Sequence, residues 1–98
     1  MEIKIEHNLN KKELIRRMQT LFEQMKKEYS GEFHIKKEKW EHDKVLLEGS
    51  VKGFKLKAIG EISERVIKFD FKLPLMLKMF ETQIKEEFVK EFKKRILY

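Results

Sequence analysis

The stretch FKLKAIGEISERVIKFDFKL, residues 54–73, decides the fold. Apolar and polar side chains largely alternate along both of its halves, and the polar run 63–65 separates the two. A period of two residues is typical of a strand with one buried face, and a polar break between two such runs predicts a hairpin. The stretch therefore predicts two antiparallel strands with one apolar face toward a core and one charged face toward water.

Three further strands are predicted on the N-terminal side of this hairpin. Residues 2–6 alternate charged and apolar side chains, which is typical of a half-buried strand. Phe33 and Ile35 begin the next strand, a polar turn follows at residues 41–44, and residues 45–47 begin the return strand. Because the last four strands follow one another through short turns, we expect an antiparallel sheet.

Two details of the middle strands concern backbone geometry. Trp40 has the opposite parity to the apolar residues that begin its strand, so we expect a β-bulge, a strand twist or a ring on the outer face. Gly49 and Gly53 bracket residues 50–52, which predicts a turn in which both glycines can adopt a positive φ.

Two amphipathic helices complete the fold. Asn10 and Glu13 have capping-box spacing at the start of the first helix, which is predicted to end at Tyr29 before Gly31. Pro74 suits the first turn of the second helix. The predicted apolar stripes are Leu14, Ile15, Met18, Leu21, Phe22, Met25 and Tyr29 in the first helix, and Phe80, Ile84, Phe88, Phe92 and Ile96 in the second. The sequence predicts an α+β fold, β-α-β-β-β-β-α, in which both helices cover one face of a curved antiparallel sheet.

The composition is that of one small folded domain, residues 1–98. The chain is 41% hydrophobic, 41% charged and carries a net charge of +6, which leaves enough apolar material for a core. Its charged residues are mainly Lys and Glu, an enrichment typical of hyperthermophile proteins. The absence of Cys excludes disulfides, thiolate metal sites and Cys nucleophiles. Since no apolar run has the length of a membrane span and no signal-peptide pattern begins the chain, we expect a cytoplasmic protein.

Catalytic and metal-binding patterns are weak in this sequence. His7, His34 and His42 are far apart, and none has a partner at metal-ligand spacing. Residues 41–43 are explained better as a polar turn than as a cation site, and Asp70 as the outward member of an alternating strand. The sequence contains no glycine-rich phosphate loop and no nucleophile motif. We therefore expect no enzyme activity, no catalytic residues, no metal and no cofactor.

The least ordinary segment is LPLMLKMF, residues 73–80, in which seven of eight residues are apolar. One helical face cannot bury them all, so if Leu77 and Phe80 point into the sheet, we expect Leu75, Met76 and Met79 to lie partly on the flank or at the open end. Two interpretations stay open: complete burial in a small core, or a hydrophobic patch for a homodimer, an apolar ligand or a lipid-like surface. The candidate binding residues are Leu73, Leu75, Met76, Leu77, Met79 and Phe80.

Nucleic-acid binding is the alternative that the basic composition suggests. Residues 52–54 match the first three positions of the RNA-recognition-motif consensus, but residues 55–57 lack its stacking aromatics. Such a module would use Lys11, Arg16, Lys55, Lys57 and the C-terminal basic surface Lys93, Lys94 and Arg95. Because basic residues are spread along the chain and alternate with acidic ones, a solvated surface is the preferred interpretation. The C-terminal cluster would also add weak attraction to an anionic surface.

Several motifs follow one another in a characteristic order: residues 5–9, Trp40 with Asp43, residues 49–53, and residues 73–80 running into residues 83–84. Over nearly the whole chain this order resembles the polyhydroxyalkanoic acid system family of short bacterial proteins. The chain departs from that pattern at His42, where a Gly is expected, and in the reversed order of Gly49-Ser50. The resemblance implies association with storage-polyester granules or their machinery, with no catalytic residues assigned. The topology is also similar to a reduced helix-grip fold, in which a cavity can open between the sheet and the C-terminal helix.

The sequence therefore predicts a non-enzymatic binding protein that contacts a hydrophobic partner through residues 73–80. The partner would be a storage-polyester granule, an acyl chain or a protein, and a two-fold mate would readily cover such a patch, which favours a homodimer. A nucleic-acid-binding module is the runner-up. An enzyme of the helix-grip type would need a polar group deep in the cavity, whereas the inward positions assigned here are apolar.

Overall fold

The computed structural model describes residues 1–27, 33–51 and 53–97. Its elements are β1 (Glu2–Glu6), α1 (Lys11–Lys27), β2 (Phe33–Glu41), β3 (Lys44–Val51), β4 (Phe54–Ile62), β5 (Val66–Lys72), a 3₁₀ segment (Leu75–Phe80), α2 (Glu81–Phe92) and a π-helical end (Lys93–Leu97). The strands form one antiparallel sheet in the order β1-β5-β4-β3-β2. The predicted α+β fold and the element order are confirmed.

The β4–β5 hairpin lies at the centre of the sheet and supplies much of the core. Ile67, Phe69 and Phe71 of β5 are buried, while Asp70 and Lys72 between and after them are exposed. The rings of Phe88 and Phe92 from α2 meet the ring of Phe69 edge-on, at centroid distances of 5.0 and 5.6 Å. These aromatic contacts fix α2 on the apolar face of the sheet.

Helix α1 covers the same face of the sheet. Its buried residues Leu14, Met18, Leu21 and Phe22 belong to one core cluster with the inward side chains of all five strands and with Phe92 of α2. Asn10 caps the helix as predicted, because its Oδ1 accepts a hydrogen bond from the Glu13 N–H at 2.8 Å. The expected end of this helix at Tyr29 and Gly31 falls outside the described residues. Neither of the two helices described covers the other face of the sheet.

A β-bulge explains the position of Trp40. The register of β2 against β3 shifts between Ile35 and Lys37, so the extra residue reverses the parity of the strand beyond it. The Trp40 ring consequently lies on the helix side, with its centroid 6.5 Å from that of Phe22. The bulge is one of the three predicted alternatives, and the alternative of a ring on the outer face is wrong.

The bulge also corrects the prediction for Gly49. Gly49 lies inside β3 opposite Ile35, and a Cβ there would lie 2.0 Å from the backbone oxygen of His34. Its role is therefore to let two strands approach closely, and it does not bound a turn. Gly53 does occupy a turn and adopts a φ of 83°, as predicted.

The second helix differs from its prediction in helix type. Pro74 precedes a 3₁₀ segment, Leu75–Phe80, and the α-helix begins only at Glu81. The predicted apolar stripe of this helix is confirmed at Ile84, Phe92 and Ile96, which are buried. A 3₁₀ segment has three residues per turn, which changes the side to which each side chain of the junction points.

Candidate functional site

The helical geometry of residues 75–80 separates buried from exposed apolar side chains. Residues three apart eclipse one another in a 3₁₀ helix, so Leu77 and Phe80 share one side, and Met76 and Met79 share another. The Leu77 side is the inner one, because Leu77 is fully buried and Phe80 half-buried. Met76 is 66% exposed, Met79 is 82% exposed, and Leu75 is 81% exposed. We call these three exposed residues the apolar patch.

A small core cluster holds the apolar patch in place. Leu77 packs in a buried cluster with Val51 of β3 and Ile84 of α2, and Phe80 and Leu73 pack against its edge. The Leu77 N–H donates a hydrogen bond to the Pro74 carbonyl oxygen at 2.9 Å. The patch is therefore presented from a segment that is anchored on both the sheet and α2.

The six candidate residues of the segment 73–80 thus differ in how deeply they are buried. Leu75, Met76 and Met79 are exposed, Leu73 and Phe80 are half-buried, and Leu77 is buried. Leu77 cannot touch a partner in this arrangement, and its inclusion in the contact surface is corrected to a supporting position. The expectation that one helical face cannot bury the whole segment agrees with these exposures.

A recess lined by lysines begins where the apolar patch ends. It has a volume of about 390 Å³, lies on the open face of the sheet, and reaches Leu73 and Pro74. Its charged lining consists of Lys36, Lys37, Glu48, Lys55, Lys57 and Lys72. We call it the lysine recess. Sequence reasoning named Lys55 and Lys57 but missed the recess, because its lysines come from three strands that are separated along the chain.

The predicted basic surface at the C-terminus does not line this recess. Lys93, Lys94 and Arg95 are exposed on the π-helical end, and the Arg95 guanidinium donates a hydrogen bond to Oε1 of Gln24 at 3.1 Å. Arg95 thereby joins the C-terminal segment to α1. The cluster and the lysine recess are thus separate basic regions.

A second concave surface, the interhelical cleft, opens between the two helices and the sheet. Its volume is about 390 Å³, and the apolar part of its lining comes from both helices and from four strands. The lining residues are Leu21, Phe22, Met25, His34, Ile35, Leu47, Glu48, Gly49, Ser50, Leu56, Ala58, Phe71, Glu87, Phe88, Glu91, Phe92 and Arg95. A cavity beside the C-terminal helix is the feature that the helix-grip similarity implies. The charged members contributed by α2, Glu87 and Glu91, are exposed.

Two of the residues considered for nucleic-acid binding are held by carboxylates. Lys11 Nζ lies 2.9 Å from Oδ2 of Asp43, and this hydrogen-bonded ion pair raises the pKa of Lys11. Arg16 donates to both carboxylate oxygens of Glu13, at 2.6 and 3.0 Å. Both cations are thereby partly neutralised on the helix side of the molecule.

His7, His42 and Asp70 occupy structural positions, and His34 lines the interhelical cleft. His7 is buried, and its Nε2 lies 2.7 Å from the Ser63 carbonyl oxygen, which connects the end of β1 to the β4–β5 turn. His42 lies in the β2–β3 turn with a φ of 56°. Asp70 is exposed on β5, as predicted. Among residues 1–27, 33–51 and 53–97, no group of three or more His, Asp or Glu side chains is placed to hold a metal ion.

In the part of the chain that the structure describes, no helix has the length and apolar character needed to cross a membrane.

Comparison with known proteins identifies a family for the chain. Searches of curated proteins and of solved structures found no match. The profile of a family described as "Putative polyhydroxyalkanoic acid system protein" matches residues 1–96, nearly the whole chain. The chain therefore belongs to the polyhydroxyalkanoic acid system protein family.

Proposed function

We propose that this protein is a non-enzymatic interaction protein that binds the hydrophobic surface of a storage-polyester granule through the apolar patch. The observation that carries the proposal is the exposure of Leu75, Met76 and Met79 beside one another on an anchored segment. Membership of the polyhydroxyalkanoic acid system family supports the choice of a polyester as the partner. The proposed place of action is the cytoplasm, as expected from the sequence.

The energetics favour a partner for this patch. Full burial of a Leu or Met side chain is worth about 1.5–3 kcal/mol, so three of them offer several kcal/mol to a surface that removes them from water. Methionine is flexible and polarisable, which suits contact with an irregular surface. A polyester surface presents methylene groups and ester oxygens without charge, so it covers the patch without desolvating an ion.

The double variant Leu75→Lys plus Met79→Lys tests the proposal. Wild-type protein is expected to co-sediment with protein-free polyhydroxyalkanoate particles, and the variant is expected to stay in solution. Because both side chains are more than four-fifths exposed, at 81% and 82%, the variant should keep the wild-type melting temperature within a few degrees.

Leu46→Lys plus Ile59→Lys is the matched control. These side chains face each other on the open face of the sheet and are each 38% exposed, so the control makes the same chemical change elsewhere. Loss of binding in the control as well, unfolding of the patch variant, or unchanged binding of the patch variant would each contradict the proposal.

A second copy of the chain is the competing occupant of the patch. Sedimentation velocity of the wild type and of the patch variant distinguishes a second copy of the chain from a granule surface as the occupant. A wild-type dimer that the variant converts to a monomer would assign the patch to self-association and would overturn the granule proposal. A wild-type monomer in the absence of particles agrees with it.

A further inference from the structure

The open face of the sheet is divided into two halves of different charge. One half crosses all five strands and contains four lysines and five carboxylates, which are Lys4, Lys39, Lys44, Lys68, Glu2, Glu6, Glu41, Glu61 and Asp70. Ion pairs connect several of them, such as Lys44 with Glu61 at 3.7 Å and Lys68 with Glu2 at 3.6 Å. This half therefore carries no excess of lysines over carboxylates.

The other half of the face is strongly positive. The lysine recess contains five lysines and one glutamate, a net charge of +4 at neutral pH. Lys72 pairs with Lys57 across β5 and β4, and Glu48 follows Lys57 across β3, so two lysines are direct neighbours in the register. Glu48 lies 3.6 Å from Lys57 Nζ and is the only carboxylate among the described residues of the recess. Adjacent like charges on strands are unfavourable unless a counter-charge is bound.

The lysine recess and the apolar patch are continuous along the chain. Lys72, Leu73 and Pro74 line the recess, and Leu75 of the patch follows directly. Lys78, which is exposed, lies one 3₁₀ turn from Leu75 and on its side of the segment. Along the chain, the exposed apolar side chains therefore follow directly on the recess, whose lysines carry their charges on flexible methylene stems.

We infer that the lysine recess and the apolar patch together form a surface that binds an anionic lipid layer. Leu75, Met76 and Met79 insert between acyl chains, while the lysines of the recess reach the phosphates of the headgroups. Interfacial segments that combine protruding apolar residues with Lys-rich flanks bind in this way. The inference rests on the proposed function, because it uses the same patch, and it adds an anionic lipid layer to the uncharged polyester as a surface that the patch contacts.

A nucleic acid fits the recess less well. The described residues that line it include neither an Arg nor an aromatic side chain, the groups that grip phosphates in bidentate fashion and stack on bases. A nucleic acid would also leave the adjacent apolar patch in water. A lipid layer contacts both the lysine recess and the apolar patch.

The test compares two triple variants that remove the same charge. The recess variant, Lys55→Gln plus Lys57→Gln plus Lys72→Gln, neutralises three of the five lysines of the recess. The control variant, Lys4→Gln plus Lys44→Gln plus Lys68→Gln, neutralises three lysines in the other half of the face. Binding is measured by co-sedimentation with phosphatidylcholine vesicles and with vesicles that also contain phosphatidylglycerol, at low and at high salt. The patch variant Leu75→Lys plus Met79→Lys and a single-stranded RNA oligonucleotide are measured alongside.

The wild type is expected to prefer the vesicles that contain phosphatidylglycerol, and to lose this preference at high salt. Each lysine near an anionic surface is worth about fivefold in affinity, so the recess variant should bind about 100-fold more weakly. The control triple variant should bind nearly as well as the wild type. The patch variant should bind more weakly despite its added positive charge.

Four results would overturn the inference. Equal losses in both triple variants would indicate a general effect of net charge, and unimpaired binding of the patch variant would exclude insertion. Tighter binding of RNA than of vesicles, through the same lysines, would assign the recess to nucleic acid. Binding to polyester particles without any binding to anionic vesicles would overturn this inference while leaving the proposed function intact.

Discussion

At the scale of single residues, His42 occupies a backbone conformation that suits glycine. It lies in the β2–β3 turn with a φ of 56°, in the left-handed region that favours glycine. Histidine enters this region more readily than most side chains, although it gains none of the freedom that glycine has there. The position where the sequence comparison expected a Gly is thus one where the backbone suits a Gly.

The substitution His42→Gly is therefore expected to stabilise the protein. The left-handed conformation costs an ordinary residue about 1–2 kcal/mol, and glycine removes this cost. Because glycine also increases the entropy of the unfolded chain, the net gain in the free energy of unfolding should be about 1 kcal/mol. Urea denaturation of the wild type and of the variant measures the difference. His42→Ala is the control and should destabilise, and a destabilised His42→Gly protein would contradict this explanation.

At the scale of elements, the first turn of α1 depends on one carboxylate. Glu13 accepts hydrogen bonds from Arg16 and from Arg17, whose Nε lies 2.9 Å from Oε1, and Arg17 also donates to the Ile96 carbonyl oxygen at 2.8 Å. The hydrogen bonds from Arg16 and Arg17 lower the pKa of Glu13 from its usual 4.5 to about 2. This pair of contacts links the start of α1 to the C-terminal segment.

The lowered pKa predicts a pH dependence with a defined sign. Because the pKa of Glu13 is lower in the folded than in the unfolded protein, the ionised carboxylate stabilises the folded state at pH values above about 4.5. This contribution is lost as the pH falls toward 2. The melting temperature of the wild type should therefore exceed that of Glu13→Gln at neutral pH, and the gap should close between these values. In an Arg16→Gln plus Arg17→Gln background the gap should be small at every pH. A gap that persists unchanged at pH 2 would refute the assignment.

The β-bulge in the edge strand β2 determines which of its side chains point toward α1 and which point to the open face of the sheet. Beyond the bulge, Glu38 and Trp40 point toward α1, where Lys26 Nζ lies 2.8 Å from Glu38 Oε1 and Trp40 Nε1 donates to Glu38 Oε2 at 2.6 Å. The contacts of Glu38 and Glu23 raise the pKa of Lys26. The same bulge leaves Lys37 on the open face, where it joins the lysine recess. One inserted residue thus fixes both a core contact and a surface charge.

At the scale of the whole molecule, the division between core and contact surface falls within a single turn of 3₁₀ helix. Leu77 is fully buried, while Met79, two residues later, is 82% exposed. Leu77→Ala should lower the free energy of unfolding by about 2–5 kcal/mol, because it leaves a cavity between β3 and α2. Met79→Ala should change it by less than about 0.5 kcal/mol. Chemical denaturation of the two variants measures both, and similar losses in the two would contradict the division.

The fold also brings together lysines that are dispersed along the sequence. The lysines of the recess are dispersed between positions 36 and 72, and apart from the adjacent Lys36 and Lys37 they are separated by other residues. No segment of the chain is a basic tail, so composition and local charge counts favoured a uniformly solvated surface. The strand register brings Lys37, Glu48, Lys57 and Lys72 into one row and produces a net positive region.

The sequence by itself determined the order of the strands and helices and, outside the β2 bulge and residues 75–80, the side of each that is buried, because alternation of period two and apolar spacing along a helix are local signals. It also determined that residues 73–80 contain more apolar side chains than one helical face can bury. The tertiary structure alone decided that Leu77 is the anchor, that Trp40 turns toward α1, and that five lysines meet beside Pro74. These features depend on a bulge, a 3₁₀ turn and the registers of four strands, which are set by contacts between residues distant in the chain.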